Sequence, residues 1–227
     1  MRWLSLICLI LCVLGCGKKL PPPEEGSLQH GYLTPRNVAP LFSPSLAHDL
    51  LDDPARVKWE KPSEIVREMR LAKGATVADI GAGSGFLLPY LSKAVGVHGR
   101  VYGEEIQDEF IPKLTHLAKK LGNTTAVSGT PEDPKLPTKV DEFVLLTVYH
   151  EVEHPVDFLK TLRGYAKPDA QLVIIDFDKA REGIPKAPEG HEVEEKAVIE
   201  EAEAAGWKLD RRVELISSQF YLVLKVK

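Results

Sequence analysis

Apolar and polar positions follow two rhythms along this chain. From Pro62 onward, short apolar runs alternate with segments whose apolar residues recur every three to four positions. The strand-like segments at 76–80, 101–106, 124–128, 140–148 and 171–177 predict strands. Ile65, Val66 and Met69 suit a short helix, and further helices are expected over 86–95, 108–121, 155–165 and 192–205. Gly122 and Gly206 stand where two of these end, as glycine should at a C-terminal cap. Two closing strands, 207–216 and 219–226, follow one another with almost no connection. Alternating strands and helices imply a parallel sheet covered on both faces, and the closing pair implies an antiparallel edge hairpin. The fold class is therefore α/β, a doubly wound, mostly parallel seven-stranded sheet with an antiparallel C-terminal hairpin. Lys167-Pro168-Asp169-Ala170 reads as a turn in which Asp169 tolerates a left-handed conformation.

The N-terminus is different. Arg2 precedes an apolar run from Trp3 to Leu14, broken only by Ser5 and closed by Gly15-Cys16. One basic residue, a short apolar core and a small-residue exit make the three-part pattern of a signal peptide. The run is too short for a spanning helix, which needs ~20 apolar residues. Residues 17–62 hold eight of the 17 prolines, beginning with Pro21-Pro22-Pro23, and predict an extended spacer. Tyr32, Leu41, Phe42, Leu46 and Leu50 give its second half apolar positions to lay against a domain. The expected organisation is a leader over 1–15, a linker over 16–55 and one domain over 56–227.

Composition narrows the function. The chain has 227 residues, 44% of them hydrophobic, enough for one sizeable core. With 29 basic against 33 acidic side chains the net charge is −4, and no nucleic-acid partner is expected. All three cysteines (Cys8, Cys12 and Cys16) lie in the first sixteen residues. A disulfide scaffold, a cysteine nucleophile and a cysteine metal site are thereby excluded from the domain.

Val77-Ala78-Asp79-Ile80-Gly81-Ala82-Gly83-Ser84-Gly85-Phe86 is the most informative stretch. An apolar strand, three alternating glycines and then a helix is the layout of a nucleotide-binding turn, where the backbone must approach a ligand closely. The spacing is G-x-G-x-G; the third glycine of a dinucleotide fingerprint would fall at position 86, which is Phe. An acid, Glu105, follows twenty residues after Gly85 at the end of the next strand, where it can accept hydrogen bonds from ribose hydroxyls.

On these residues the chain resembles the class I S-adenosylmethionine-dependent methyltransferases, with a Rossmann-like fold, over roughly residues 56 to 227. The resemblance implies that Asp79 and the Gly81/Gly83/Gly85 loop hold the methionine part of the cofactor S-adenosylmethionine. It implies ribose at Glu105 and adenine near Ile106. Gly129-Thr130-Pro131-Glu132-Asp133 matches the segment that places an acid against the adenine amino group; Glu132 is the choice, with Asp133 its competitor. Thr147-Val148-Tyr149-His150 matches the floor of the active site, with Thr147 on the cofactor side. His150 is then the best-placed base if the acceptor must lose a proton. The acceptor would be a small molecule or a lipid.

Val13-Leu14-Gly15-Cys16 resembles a bacterial lipobox, which implies lipidation at Cys16 and a membrane-anchored lipoprotein of the cell envelope. Loss of Arg2 leaves 28 basic against 33 acidic side chains, so the anchor rather than the domain would hold the protein at an anionic membrane. That address motivates a second reading, a non-catalytic envelope binding module that keeps the methyltransferase fold. A third comes from His150-Glu151-Val152-Glu153-His154, which fits the zinc-protease pattern H-E-x-x-H. That chemistry needs both histidines on one helical face, yet the motif follows a strand and Pro155 suits the start of a helix. His191 would be a third ligand only by the accident of folding. The stretch 183–190 before it is a candidate flap.

Overall fold

The computed structural model describes residues 38–41 and 51–227. The expected leader, Cys16 and most of the linker lie outside the described residues. In order, the elements are α1 (Arg56–Glu60), α2 (Pro62–Met69), β1 (Thr76–Ile80), α3 (Leu88–Val95), β2 (Arg100–Glu105), α4 (Ile111–Leu121) and β3 (Thr124–Ser128). There follow β4 (Val140–Leu146), α5 (Pro155–Gly164), β5 (Ala166–Phe177), α6 (Glu195–Ala204), β6 (Trp207–Arg212) and β7 (Gln219–Val226).

The seven strands form one sheet in the order β3-β2-β1-β4-β5-β7-β6. β1 to β5 run parallel, β7 pairs antiparallel with β5, and β6 with β7. This is the doubly wound sheet with its antiparallel edge hairpin. The central strands are apolar on both faces because both are covered. Ala78, Ile80, Phe143 and Leu145 join a core with Leu159, Val198 and Trp207 under α5 and α6. Val77, Val144 and Ile175 point the other way, onto Ile65, Leu91 and Leu114 of α2, α3 and α4. Proline stands in the first turn of α2, α3, α4 and α5, where its missing N–H costs no helical hydrogen bond.

Several boundaries differ from the sequence reading. Lys167–Ala170 is not a turn: it belongs to β5, and Asp169 is not left-handed. Val140 pairs with Ala166 and Glu142 with Gln171, so four residues of β5 bulge opposite Asp141 alone. Lys167 Nζ fixes the bulge on Asp141 Oδ2 at 2.7 Å. β6 stops at Arg212, and α6 begins at Glu195 rather than 192. α1 was not foreseen, since five residues are too few to show a period. Of the linker, Ala39 is buried and donates its N–H to His150 O at 3.1 Å.

Candidate functional site

β1 and β4 are neighbours whose following helices cover opposite faces of the sheet. Their carboxyl ends therefore diverge into a crevice, the usual ligand position in an open α/β sheet. A cavity of about 230 Å³ opens there, lined by Asp79, Gly81, Gly83, Thr147 and His150 among others. Gly85, Glu105, Ile106 and Glu132 do not line it.

Gly81, Gly83 and Gly85 have φ of +67°, +54° and +89°, which side chains rarely tolerate. A Cβ on Gly81 would stand 2.7 Å from Val148 Cγ2, and one on Gly85 2.7 Å from Leu117 Cδ2. The loop is therefore pressed against the segment after β4 on one side and α4 on the other. Two adjacent acids at the end of β2 tie it down. Gly83 N donates to Glu105 Oε2 at 2.8 Å, while Gly81 N donates to Glu104 Oε2 at 3.3 Å. Glu105 Oε1 accepts from the N–H groups of Ile106 and Gln107. The predicted ribose ligand thus braces the glycine loop here.

Glu132 is exposed on its loop and is not among the residues that line the cavity. Its competitor Asp133 accepts a hydrogen bond from Tyr165 Oη at 2.9 Å, and that bond pushes the Tyr165 hydroxyl up from its ordinary pKa.

The crevice gathers buried carboxyl groups. Burial pushes the carboxyl of Asp79 up to about 8, against the opposing pull of Arg56. It does the same to Glu104, also raised to about 8, whose Oε1 has no hydrogen-bond partner among the described residues. Arg56 faces the cavity from α1, pairs with buried Glu60 at 3.1 Å and stacks 4.1 Å over the Phe86 ring. A cationic ligand would relieve this excess of buried acid.

Beyond β4 the chain turns sharply. Thr147 has φ +55° and donates its N–H to Ile175 O at 2.7 Å, a left-handed residue at the cavity wall. Tyr149–Glu151 then forms a single 3₁₀ turn. Tyr149 Oη donates to Glu201 Oε2 at 2.8 Å, both residues fully buried, which fastens the turn to α6. His150 is 5% exposed, and its Nδ1 lies 2.7 Å from Oδ1 of Asp176, which is wholly buried at the end of β5. His154 is an exposed residue at the start of α5. The two histidines of H-E-x-x-H therefore do not share a helical face. His191 takes the second position instead: its Nδ1 is 3.1 Å from His150 Nε2. Burial, then the neighbouring His150, holds the His191 imidazole below its ordinary pKa. Pro185, Lys186 and Pro188 of the candidate flap line the cavity.

Asp176, Arg56 and Glu60 were not found from the sequence. Asp176 had a signal, an acid closing the apolar run Val173-Ile174-Ile175. Arg56 and Glu60 had none, since they lie before any periodic segment.

A methyltransferase domain family model matches residues 78–174. The chain is 34% identical to a SAM dependent methyltransferase from Aquifex aeolicus of known crystal structure, covering 82% of this chain and 100% of that one with a TM-score of 0.75. It is 30% identical over 113 residues to the mitochondrial ubiquinone biosynthesis O-methyltransferase of Schizosaccharomyces pombe, covering 49% of this chain and 41% of that one. It is 26% identical over 144 residues to the demethylmenaquinone methyltransferase of Staphylococcus carnosus, covering 62% and 57%. The chain spans about half the length of these curated relatives.

Proposed function

The chain belongs to the SAM-dependent methyltransferases, and from that footing we propose that it methylates a small-molecule acceptor seated over the 147–151 loop. The carrying observation is a single cavity lined by Asp79 and the glycine loop as well as by His150. S-adenosylmethionine, the family's cofactor, supplies an electrophilic methyl group on a cationic sulfonium when bound. The residues suit it: Asp79 is a buried acid whose burial outweighs the pull of Arg56, and Gly81 leaves backbone where a side chain would clash. Asp79, Gly81 and Gly83 would hold the methionine part, with Gly85 completing the turn. Glu105 and Ile106 would serve ribose and adenine, Glu132 the adenine amino group, and Thr147 the floor.

His150 would take the acceptor's proton. Asp176 fixes the proton on Nδ1, so the lone pair is on Nε2, where the acceptor would displace the contact with His191 Nδ1 at 3.1 Å. Trp59, Leu146 and Phe177 add apolar wall that excludes water and suits a ring-bearing acceptor. The names of the ubiquinone and demethylmenaquinone relatives support an acceptor of quinone-precursor type. A lipid on Cys16 would anchor the protein in the bacterial cell envelope, with residues 16–55 as the spacer. Calorimetric titration with S-adenosylhomocysteine, followed by a turnover assay on demethylated quinols, tests the reading. Absence of binding would defeat it.

A further inference from the structure

We propose that His150, Glu151 and His191 form a binding site for one divalent transition-metal ion. Among the described residues these three offer ligand atoms that all lie within 4.8 Å of one another. His191 Nδ1 and His150 Nε2 are 3.1 Å apart, and Glu151 Oε1 is 3.8 Å from His150 Nε2. Ligands at about 2.0–2.1 Å from a tetrahedral ion stand about 3.3 Å from each other, so small side-chain shifts close the site. The ion would replace the proton shared by the two rings, with His191 keeping its proton on Nε2.

The supporting residue is in place. Asp176 accepts from His150 Nδ1 at 2.7 Å and from the His150 backbone N–H at 3.1 Å, and it is wholly buried. A carboxylate behind a ligating imidazole fixes its tautomer and orientation. Two imidazoles and one carboxylate favour zinc, cobalt, nickel or iron over magnesium or calcium. Three protein ligands leave a fourth position, and all three residues line the cavity. The significance for catalysis rests on the methyltransferase reading; ion binding itself does not. The Nε2 lone pair that would take the acceptor's proton is the one that binds the ion. A loaded site therefore ionises an acceptor hydroxyl by coordination instead, the proton leaving to water.

The test is a titration of the untagged full chain, stripped with a chelator, with Co²⁺ followed by visible absorption. One equivalent should give the intense bands of a four- or five-coordinate ion. His191→Ala should abolish them, Asp176→Asn should weaken Co²⁺ binding about 10- to 100-fold, and His154→Ala should change nothing. Thermal melts establish that each variant is folded. No spectrum in the wild type, or an undiminished one in folded His191→Ala, overturns the site. S-adenosylhomocysteine titrated into the same preparation keeps the two ideas apart. Binding without a cobalt spectrum sinks only the metal site, whereas a cobalt spectrum without binding sustains it and sinks the cofactor reading.

Discussion

His150 Nδ1 lies 2.7 Å from Asp176 Oδ1, and Asp176 also accepts the backbone N–H groups of His150 and Phe177. One carboxylate at the end of β5 thus fixes both the main chain and the ring of the residue beyond β4. The imidazole cannot flip without breaking a bond to a wholly buried carboxyl group. Its outer nitrogen is presented to the cavity in one tautomer.

Replacing that ring should therefore cost turnover and not cofactor affinity. Positioned general bases contribute typically ~10²- to 10⁴-fold, and His150→Ala should lower kcat by about that factor. Asp176→Asn, which keeps the shape but can donate to Nδ1 and reverse the tautomer, should lower kcat as well. Unimpaired turnover in His150→Ala would remove the ring from the mechanism.

If Asp79 holds the methionine part of the cofactor, as proposed, binding should depend on pH. The Asp79 carboxyl holds a proton up to about pH 8 because burial disfavours the charge. A ligand ammonium placed against it favours the charged form, so binding must release that proton below pH 8. Affinity for S-adenosylhomocysteine should then rise up to tenfold per pH unit from pH 6 and level off near 8. Calorimetry in buffers of different ionisation enthalpy measures the released proton directly. Asp79→Asn should bind more weakly and show no proton release.

The glycine loop and the segment after β4 are fitted to each other at one contact, Gly81 against Val148. Gly81→Ala combines a side chain at φ +67° with an overpacked contact, together about 2–4 kcal/mol. Denaturant midpoints should record that loss with little change in slope. Val148→Ala alone leaves a gap, but the double variant should recover part of the loss, since the clash is gone and only the backbone strain persists. Additive losses would show that the two residues do not communicate.

The N-terminal cysteine makes a prediction of a different kind. Lipidation at Cys16 would put the protein in the membrane fraction of a bacterial host, and Cys16→Ser should move it to the soluble fraction or leave it unprocessed. Labelling with a palmitate analogue distinguishes a lipid from an uncleaved leader. Equal fractionation without label in the wild type would remove the anchor.

The sheet was legible because its strands are apolar runs that differ from the helices in period, and because Asp79 and the alternating glycines are local in sequence. What escaped depends on contacts between distant segments. Asp176 meets His150 only because β4 and β5 are paired neighbours, and His191 reaches them from beyond the end of β5. Nothing in the H-E-x-x-H spacing could show that His191 rather than His154 stands by His150. The bulge at Lys167–Ala170 escaped for a related reason: a Lys-Pro-Asp sequence has the composition of a turn, and only the pairing of the flanking Ala166 and Gln171 with β4 sets it as a bulge within β5.

Glu142 offers a test of buried charge away from the cavity. It lies in β4, 5% exposed, with Oε1 lacking a hydrogen-bond partner among the described residues. Burial raises its carboxyl from the ordinary 4.5 to about 8, although Arg211 pulls the other way. The unfolded chain releases this proton near pH 4.5 while the folded one keeps it to about pH 8. Raising the pH through that window therefore draws the equilibrium toward the unfolded chain. The stability Glu142 contributes is full below pH 4.5 and gone above pH 8. Glu142→Gln removes the titration while keeping the shape, so the variant should outlast the wild type at pH 8.5 and lose that advantage at pH 4.5. Urea midpoints of both proteins across the range measure the difference. A pH-independent gap between them would mean that Glu142 is already charged in the folded chain at neutral pH.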